Sequence, residues 1–222
     1  MVHSVVPSRQ PQRRTQTQRN QQTQEKLVGA AIDLLKKGRY VGLRTMDVAE
    51  HAGLSKGAST HHFPTKNALV LRALQEVYRS TQERALQRIA GAGASTRAVL
   101  EALMEDSKAF FLSDDFLLSL DLVMIDPESE LGTGVKELAR AYRLPVEQAW
   151  LEALLRAGHG VQEAEEVVRL TFAIARGCGI RQLIAGPEAA TDRLMDSWLR
   201  MAEGKLESGT VCGPALTRTQ ET

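Results

Sequence analysis

The stretch GLSKGASTHHFPTK, residues 53–66, decides the fold class of this chain. A glycine that permits a tight turn is followed by Ser55, which can cap a helix. The helix that starts there has barely two turns, because Pro64 prevents its smooth continuation. Thr65 can cap the next helix. The stretch therefore predicts a turn, a short helix, a break and a longer helix.

Two helices are expected before this turn. The first has a buried face at the helical spacing i, i+3, i+4, i+7, i+8, formed by Leu27, Ala30, Ala31, Leu34 and Leu35. The second begins near Thr45, takes its apolar contacts from Met46, Val48 and Ala49, and ends at Ala52-Gly53. A short helix, a turn centred on Gly53 and a second short helix have helix-turn-helix spacing. In such a pair the first helix crosses the DNA backbone and the second enters the major groove.

The adjacent histidines His61 and His62 raise the question of a metal site or a catalytic base. Neighbours on a helix lie about 100° apart, so these two rings cannot face one metal ion as an i, i+4 pair does. No Cys, Asp or Glu lies nearby in sequence to complete a local site. We therefore expect one histidine to face DNA, while the other packs beside Phe63. No metal and no cofactor are predicted.

Charge is distributed unevenly along the chain. Up to Arg72 there are twelve basic and four acidic side chains, a net charge of +8, so the remainder carries −7 to reach the total of +1. A basic front joined to an acidic back is typical of a nucleic-acid reader with a separate partner domain.

Residues from about 24 to 72 resemble the N-terminal domain of the tetracycline-repressor (TetR) family of bacterial transcriptional regulators. The matching stretches are AAIDLLKKGRYVGLRTMDVAEHAGLSKGAS and HHFPTKNALVLRAL. The family usually has Tyr at the position of Thr60, where the phenol contacts a phosphate, and often Tyr at the position of His62. Thr60 is too short for that reach, whereas His62 can still donate to a phosphate.

The predicted DNA contacts lie on both short helices and at their ends. Ser59 and His61 are predicted to contact base edges, and Lys56 and Lys66 to contact phosphates. The complete predicted set is Arg44, Thr45, Ser55, Lys56, Ala58, Ser59, Thr60, His61, His62 and Lys66.

Beyond about residue 80 the sequence is helical throughout. Beyond its first residue, Asp115, a predicted helix at 115–125 is apolar on every side except at Ser119 and Asp121. A buried carboxylate must be paired, protonated or exposed to a cavity. Asp121 is therefore predicted either to form a salt bridge with an arginine such as Arg143 or Arg176, or to anchor an effector. The predicted effector pocket consists of Met104, Phe111, Phe116, Leu117, Met124, Trp150 and Phe172, with Asp121 or Arg176 as its polar anchor.

The resemblance implies that this helical region binds a small effector and that its last two long helices, at about 162–185 and 188–203, form a dimeric four-helix bundle. Gly177 and Gly179 are costly inside a helix, which is typical of close backbone approach. The predicted dimer interface comprises Val168, Gly177, Gly179, Leu194 and Trp198.

The expected fold is all-α, with an N-terminal three-helix helix-turn-helix DNA-binding domain and a C-terminal helical ligand-binding and dimerisation domain. The expected segments are a disordered basic arm (1–21), the DNA-binding domain (22–72), the effector and dimerisation domain (73–204) and a flexible tail (205–222). Pro145 should kink or break its helix. Two cysteines and the lack of a long apolar run favour a cytoplasmic protein without a membrane partner.

Three functions are compatible with these features. The first is a homodimeric regulator, most simply a repressor, that a small-molecule effector releases from a palindromic operator on double-stranded DNA. The second is a helical enzyme that uses His61 or His62. The third is a DNA-binding protein without an effector, whose back domain serves only for dimerisation or partner binding.

Overall fold

The structure, a computed structural model, describes residues 15–187 and 189–209 of the 222-residue chain. Within these ranges it contains α-helices and no strand, which confirms the all-α prediction. The helices are α1 (Gln16–Gly42), α2 (Thr45–His51), α3 (Lys56–His62), α4 (Lys66–Gly91), α5 (Thr96–Phe111), α6 (Asp114–Val123), α7 (Glu130–Arg156), α8 (Val161–Ala185) and α9 (Ala189–Gly209).

Helices α1 to α3 pack together with the first turns of α4. Leu27 and Ala31 of α1, Val48 of α2 and Leu69 of α4 have no exposed surface, so one small core joins all these helices. Gly53, with φ +66°, makes the turn between α2 and α3 in the left-handed region that favours glycine. The predicted helix-turn-helix is confirmed.

Helix α4 connects the two halves of the molecule. It is a continuous helix of 26 residues that packs on α1 at its start and on α5 and α7 further along. The domain boundary predicted between residues 72 and 73 lies inside this helix. Helix α4 therefore belongs to the cores of both halves.

The C-terminal half is a bundle of α5 to α9. Helix α6 contacts α1, α5 and α7, while α8 and α9 pack on α5 and on each other. Trp150 and Leu154 of α7 are fully buried at the centre. Helix α7 continues through Pro145, and the neighbouring Val146 is also fully buried, so packing holds the helix across the missing hydrogen bond.

The two predicted flexible ends differ from the structure where it describes them. Residues 16–21 belong to α1, which begins with a capping box formed by Thr15 and Gln18. Residues 205–209 continue α9 instead of starting a tail. Residues 1–14 of the predicted arm and 210–222 of the predicted tail lie outside the described residues.

Candidate nucleic-acid interface and effector region

Helix α3 presents one exposed polar face. The Ser55 hydroxyl accepts a hydrogen bond from the backbone N–H of Ala58 at 3.2 Å, which fixes where this short helix begins. Lys56, Thr60 and His61 are exposed, whereas Ala58 is half-buried against the rest of the domain. Arg44, also exposed, precedes α2, and Thr45 at the start of α2 is half-buried. The exposed surface thus combines the positive charges of Lys56 and Arg44 with the imidazole ring of His61.

Ser59 does not belong to this face. Its exposed fraction is 4%, because it lies on the inner side of α3. A side chain that is buried in the domain core cannot reach a base edge while the domain stays folded, so the prediction of Ser59 as a base contact is wrong. Its small size instead allows α3 to lie close to its neighbouring helices.

The two histidines occupy different environments. His61 is exposed and His62 is half-buried, and their rings meet edge to face with centroids 5.3 Å apart. This arrangement fits one ring facing outwards and a second ring that supports it. In the described part of the chain, neither ring forms a hydrogen bond with a carboxylate that would make it a catalytic base.

Thr60 and Lys66 make internal contacts that the sequence does not show. The Thr60 hydroxyl donates to the carbonyl of Lys56 at 3.0 Å, one turn back along α3. The Lys66 ammonium donates to the Tyr40 carbonyl at 2.7 Å and lies 4.0 Å from the centre of the Tyr40 ring. Burial lowers the pKa of Lys66 below its ordinary value. Lys66 therefore holds the start of α4 against the end of α1, in addition to any phosphate contact.

Tyr40 lies where the two halves of the chain meet. We call its contacts with Lys66, Asn67 and Asp121 the Tyr40 joint. Its backbone N–H donates to Asp121 of α6 at 2.8 Å, and its hydroxyl donates to Asn67 of α4 at 3.1 Å. The preceding residue, Arg39, has φ 59° and ψ 177°, a conformation that is otherwise almost restricted to glycine. Asp121 and Lys66 thus satisfy the N–H and carbonyl of a residue at a strained kink in α1.

A second polar contact links α6 to the same region. Asp115, near the start of α6, accepts from Lys36 of α1 at 2.6 Å and from Arg84 of α4 at 3.2 Å. The carboxylates of Asp115 and Asp121 therefore attach α6 to both α1 and α4. Sequence reasoning missed this joint because its partners lie far apart along the chain, and no local pattern marks Tyr40.

Most residues of the predicted effector pocket are buried, and three of them form an aromatic cluster. Met104, Phe111, Phe116, Trp150 and Phe172 are all buried. The rings of Phe111 lie 5.3 Å from Phe116 and 5.7 Å from Phe172, so aromatic contacts fill the region. Leu117 is half-buried at its edge.

The other predicted pocket residues are not buried in this cluster. Met124 is 77% exposed at the end of α6, and the Arg176 side chain is exposed at the edge of the cluster, with its guanidinium carbon 5.3 Å from the Phe111 ring centre. The Asp121 carboxylate accepts from the Tyr40 N–H and forms no salt bridge with Arg143 or Arg176, so the salt-bridge prediction is wrong.

A buried polar cluster borders the aromatic rings. Asp106 accepts from Arg88 at 3.0 Å and from the Trp150 indole at 3.1 Å, and Tyr78 and Ser119 share a hydrogen bond of 2.5 Å. Burial raises the pKa of Asp106, while the Trp150 hydrogen bond and the Arg88 charge act in the opposite direction. Burial also raises the pKa of Tyr78.

Arg143 of α7 completes this cluster from the opposite side. Its guanidinium carbon lies 3.8 Å from the centre of the Phe110 ring, and the residue is half-buried. Burial lowers the pKa of Arg143 below its ordinary value, and the negative charge of Asp106 opposes this effect.

The predicted dimer residues fall into two groups. Val168 and Trp198 are buried within the chain, where the Trp198 indole donates to Thr171 at 2.8 Å. Gly179 is buried against α5, since a Cβ there would lie 2.0 Å from the carbonyl oxygen of Phe111. These three residues serve internal packing, so assigning them to a dimer contact is wrong. Gly177 and Leu194 are exposed and remain candidates.

Among the residues that the structure describes, no three His, Cys, Asp or Glu side chains group closely enough to hold a metal ion. None of the described helices is both long and apolar enough to span a bilayer.

Comparison with known proteins agrees with this geometry. The family model for "Bacterial regulatory proteins, tetR family" matches residues 27–73, which contain α2 and α3. The HTH-type transcriptional regulator CymR of Pseudomonas putida is 36% identical over 193 residues, covering 86% of this chain and 95% of CymR.

Solved structures share the fold at lower identity. FadR of Bacillus subtilis in complex with stearoyl-CoA has a TM-score of 0.61 at 14% identity, over 80% of this chain and 96% of FadR. The multidrug binding protein EbrR complexed with malachite green has a TM-score of 0.54 at 18% identity, over 82% of this chain and 97% of EbrR. With its helix-turn-helix and its likeness to CymR over nearly the whole length, the chain belongs to the TetR family of bacterial transcriptional regulators.

Proposed function

We propose that this regulator is a homodimer that binds a palindromic operator in the cytoplasm and represses transcription until a small-molecule effector releases it. The observation that carries the proposal is the exposed face of α3 with Lys56, Thr60 and His61, on a domain joined by α4 and α6 to an aromatic core. Such a domain has both a surface for DNA and a region that can respond to a ligand.

On DNA, α3 enters the major groove. His61 is the proposed base contact, and Lys56 and Arg44 neutralise phosphates on either side. The backbone N–H groups at the start of α2, near Thr45, provide further phosphate contacts. His62 supports the His61 ring from behind.

An exposed apolar strip supports the proposed dimer. We define the α8–α9 strip as Leu170, Gly177, Ile180, Ile184, Leu194 and Met201, all of which are exposed in the single chain. Positions 170, 177 and 184 recur every seven residues, which aligns them along one helix face. A Cβ at Gly177 would meet nothing within 4 Å, so this position leaves room for the backbone of a partner helix. Two copies that pair through this strip would bury it in a four-helix contact.

Effector binding belongs to the aromatic core. FadR and EbrR, which share the fold, were solved in complex with stearoyl-CoA and malachite green, respectively. Here α6 contributes Phe116 to the aromatic cluster and Asp121 to the contact with Tyr40, and these two residues lie five positions apart on the same ten-residue helix. A ligand that displaces Phe116 would move Asp121 and with it the end of α1. It shifts the equilibrium only as far as it binds the displaced state more tightly.

The effector-free alternative differs in one measurable property. It predicts the same operator binding but no metabolite that weakens it. The aromatic core and the two carboxylates that tie α6 to α1 favour the effector-responsive reading. The enzyme reading has less support, because the relatives are transcriptional regulators and His61 and His62 have no carboxylate partner among the described residues.

The proposal is tested by fluorescence anisotropy with DNA fragments from upstream of the chain's own coding sequence. Wild type should bind one fragment at submicromolar concentration, and His61→Ala should bind it more weakly. Lys37→Ala is the matched control, because Lys37 is exposed on α1 and away from α3. Adding fractions of a metabolite extract should release the wild-type protein. The proposal fails if no upstream fragment binds, and its effector part fails if no fraction releases the DNA.

A further inference from the structure

Arg143 differs from the other arginines around it. Arg84 is paired with Asp115, Arg88 with Asp106, and Arg79 with Glu76 and Glu83. In the part of the chain that the structure describes, no hydrogen bond or ion pair satisfies the Arg143 guanidinium, which lies on the face of Phe110 instead. A half-buried guanidinium retains its charge, and no Arg143 nitrogen is a fully buried unsatisfied atom, so its donors face solvent and can take up an acceptor that a ligand brings.

The neighbouring carboxylates do not fill this role. Asp106, on α5, already accepts from Arg88 and from Trp150, one donor on each oxygen. Glu147 lies one turn further along α7 and acts on Arg143 electrostatically without an ion pair. Tyr78 of α4 donates or accepts within its pair with Ser119, and Arg176 of α8 adds a second positive charge nearby. The charges facing Arg143 from α4, α5, α7 and α8 therefore leave it without a dedicated counter-ion.

The surroundings define the chemistry of the missing acceptor. A cleft of about 10 Å³ beside Arg143 is lined by Arg84, Arg88, Asp106 and Phe110, so three arginines face a single carboxylate. Its size corresponds to one water molecule. The ring centroids of Phe111 and Phe116 lie 5.1 and 5.9 Å from that of Phe110. The positive charge of the arginines beside the three aromatic rings suits a molecule with an anionic head and an apolar body.

We propose that Arg143 is the anchor for the effector, and that the effector is a small monocarboxylate with an apolar body that packs among Phe110, Phe111 and Phe116. This inference rests on the proposed function, since it names the ligand class of that regulator. A carboxylate matches the two parallel N–H groups of a guanidinium. A phosphate dianion fits less well, because the cleft is small and the Asp106 carboxylate would repel the second charge.

Binding requires a local rearrangement, because the aromatic rings fill the space now. The Phe110 ring and the Arg143 side chain must separate so that the ligand carboxylate replaces the ring as the partner of the guanidinium. Phe116 lies on α6, so the apolar body of the ligand would press on the helix that holds Tyr40 through Asp121. Binding of the ligand would therefore also disturb the contact between Asp121 and Tyr40 that connects α6 to the DNA-binding domain.

The experiment uses the full chain and three carboxylates, benzoate, 2-naphthoate and octanoate, each paired with its neutral amide. We expect at least one carboxylate to raise the melting temperature of the wild type, because it binds the folded state, and its amide to have no effect. Calorimetry should show at least about tenfold weaker binding of that carboxylate to Arg143→Gln, which removes charge-assisted hydrogen bonds. Arg140→Gln, which removes an exposed arginine from the same helix, should bind like wild type.

Arg143→Lys is the control for a folding defect in Arg143→Gln. It keeps the positive charge but loses the planar pair of donors, so it should fold and still bind the carboxylate at least several-fold more weakly. The inference is overturned if none of the three carboxylates raises the melting temperature, if the amides act equally, or if both Arg143 variants bind like wild type.

Measurements of operator binding distinguish failure of the proposed carboxylate site from failure of the proposed regulator function. If a neutral or cationic compound releases the operator equally from wild type and Arg143→Gln, the regulator stands and the carboxylate site is wrong. If carboxylates bind through Arg143 but the chain binds no operator, the site stands and the regulator is wrong.

Discussion

At the residue scale, the exposed and buried sides of α3 assign different roles to neighbouring side chains. His61 points outwards and Ser59 inwards, although both lie on the same two turns of helix. His61→Ala should weaken operator binding by about 1–3 kcal/mol and relax the preference at one base pair, because a specific base contact is lost. Ser59→Ala should leave base preference unchanged. Anisotropy with single-base operator variants measures both effects, and a preference altered by Ser59→Ala alone would contradict the assignment.

A second residue-scale prediction concerns the strained kink at Arg39. Its φ of 59° with ψ of 177° is costly for any residue with a Cβ. Arg39→Gly should therefore raise the free energy of unfolding by about 1 kcal/mol. Lys37→Gly, two residues earlier in regular helix, should lower it by about 1 kcal/mol. Urea unfolding measures both changes in the free energy of unfolding. Equal decreases in the two variants would show that the backbone at Arg39 is not strained.

At the element scale, α6 links the aromatic core to the DNA-binding domain through Asp121. Asp121→Ala leaves the Tyr40 N–H without its acceptor, which should lower the free energy of unfolding by about 1–3 kcal/mol. It should also reduce the change in operator affinity that an effector produces, because α6 no longer holds the end of α1. Asp114→Ala is the control, since Asp114 is exposed at the start of the same helix. If the effector changed operator affinity equally in both variants, Asp121 would have no part in transmitting effector binding to the DNA-binding domain.

At the scale of the whole molecule, the α8–α9 strip should hold two chains together. Ile184 is 88% exposed, so Ile184→Glu should leave the fold of the single chain intact while placing a charge in the dimer contact. Light scattering on a sizing column should show a monomer at micromolar concentration, and operator affinity should fall because only one α3 is presented. Leu86→Glu on α4, at a position 46% exposed, should stay dimeric. A wild type that is monomeric at micromolar concentration would end the dimer proposal.

Dimer geometry also limits the operator. Two recognition helices read half-sites about 34–36 Å apart or at multiples of that distance, so the operator should be a palindrome with that spacing. Inserting five base pairs between its half-sites turns them to opposite sides of the duplex and should abolish high-affinity binding. Inserting a full helical turn should restore part of the affinity if the dimer can span it.

The sequence by itself determined the features that depend on neighbours along the chain. Hydrophobic spacing marked the buried faces, Gly53 marked the turn, and Ser55 and Thr65 capped the helices that follow them, as their hydrogen bonds to Ala58 and Ala68 confirm. These signals are local because a cap or a turn involves residues within four positions.

Only the tertiary structure decided the features that depend on distant partners. Asp121 accepts from Tyr40, 81 positions earlier, and Gly179 is needed because the Phe111 carbonyl approaches it. Neither pairing follows from spacing, since a buried carboxylate or a helical glycine has many possible neighbours. The direction in which Ser59 points likewise depends on how α3 lies against its domain, because rotating a two-turn helix by half a turn exchanges its buried and exposed faces.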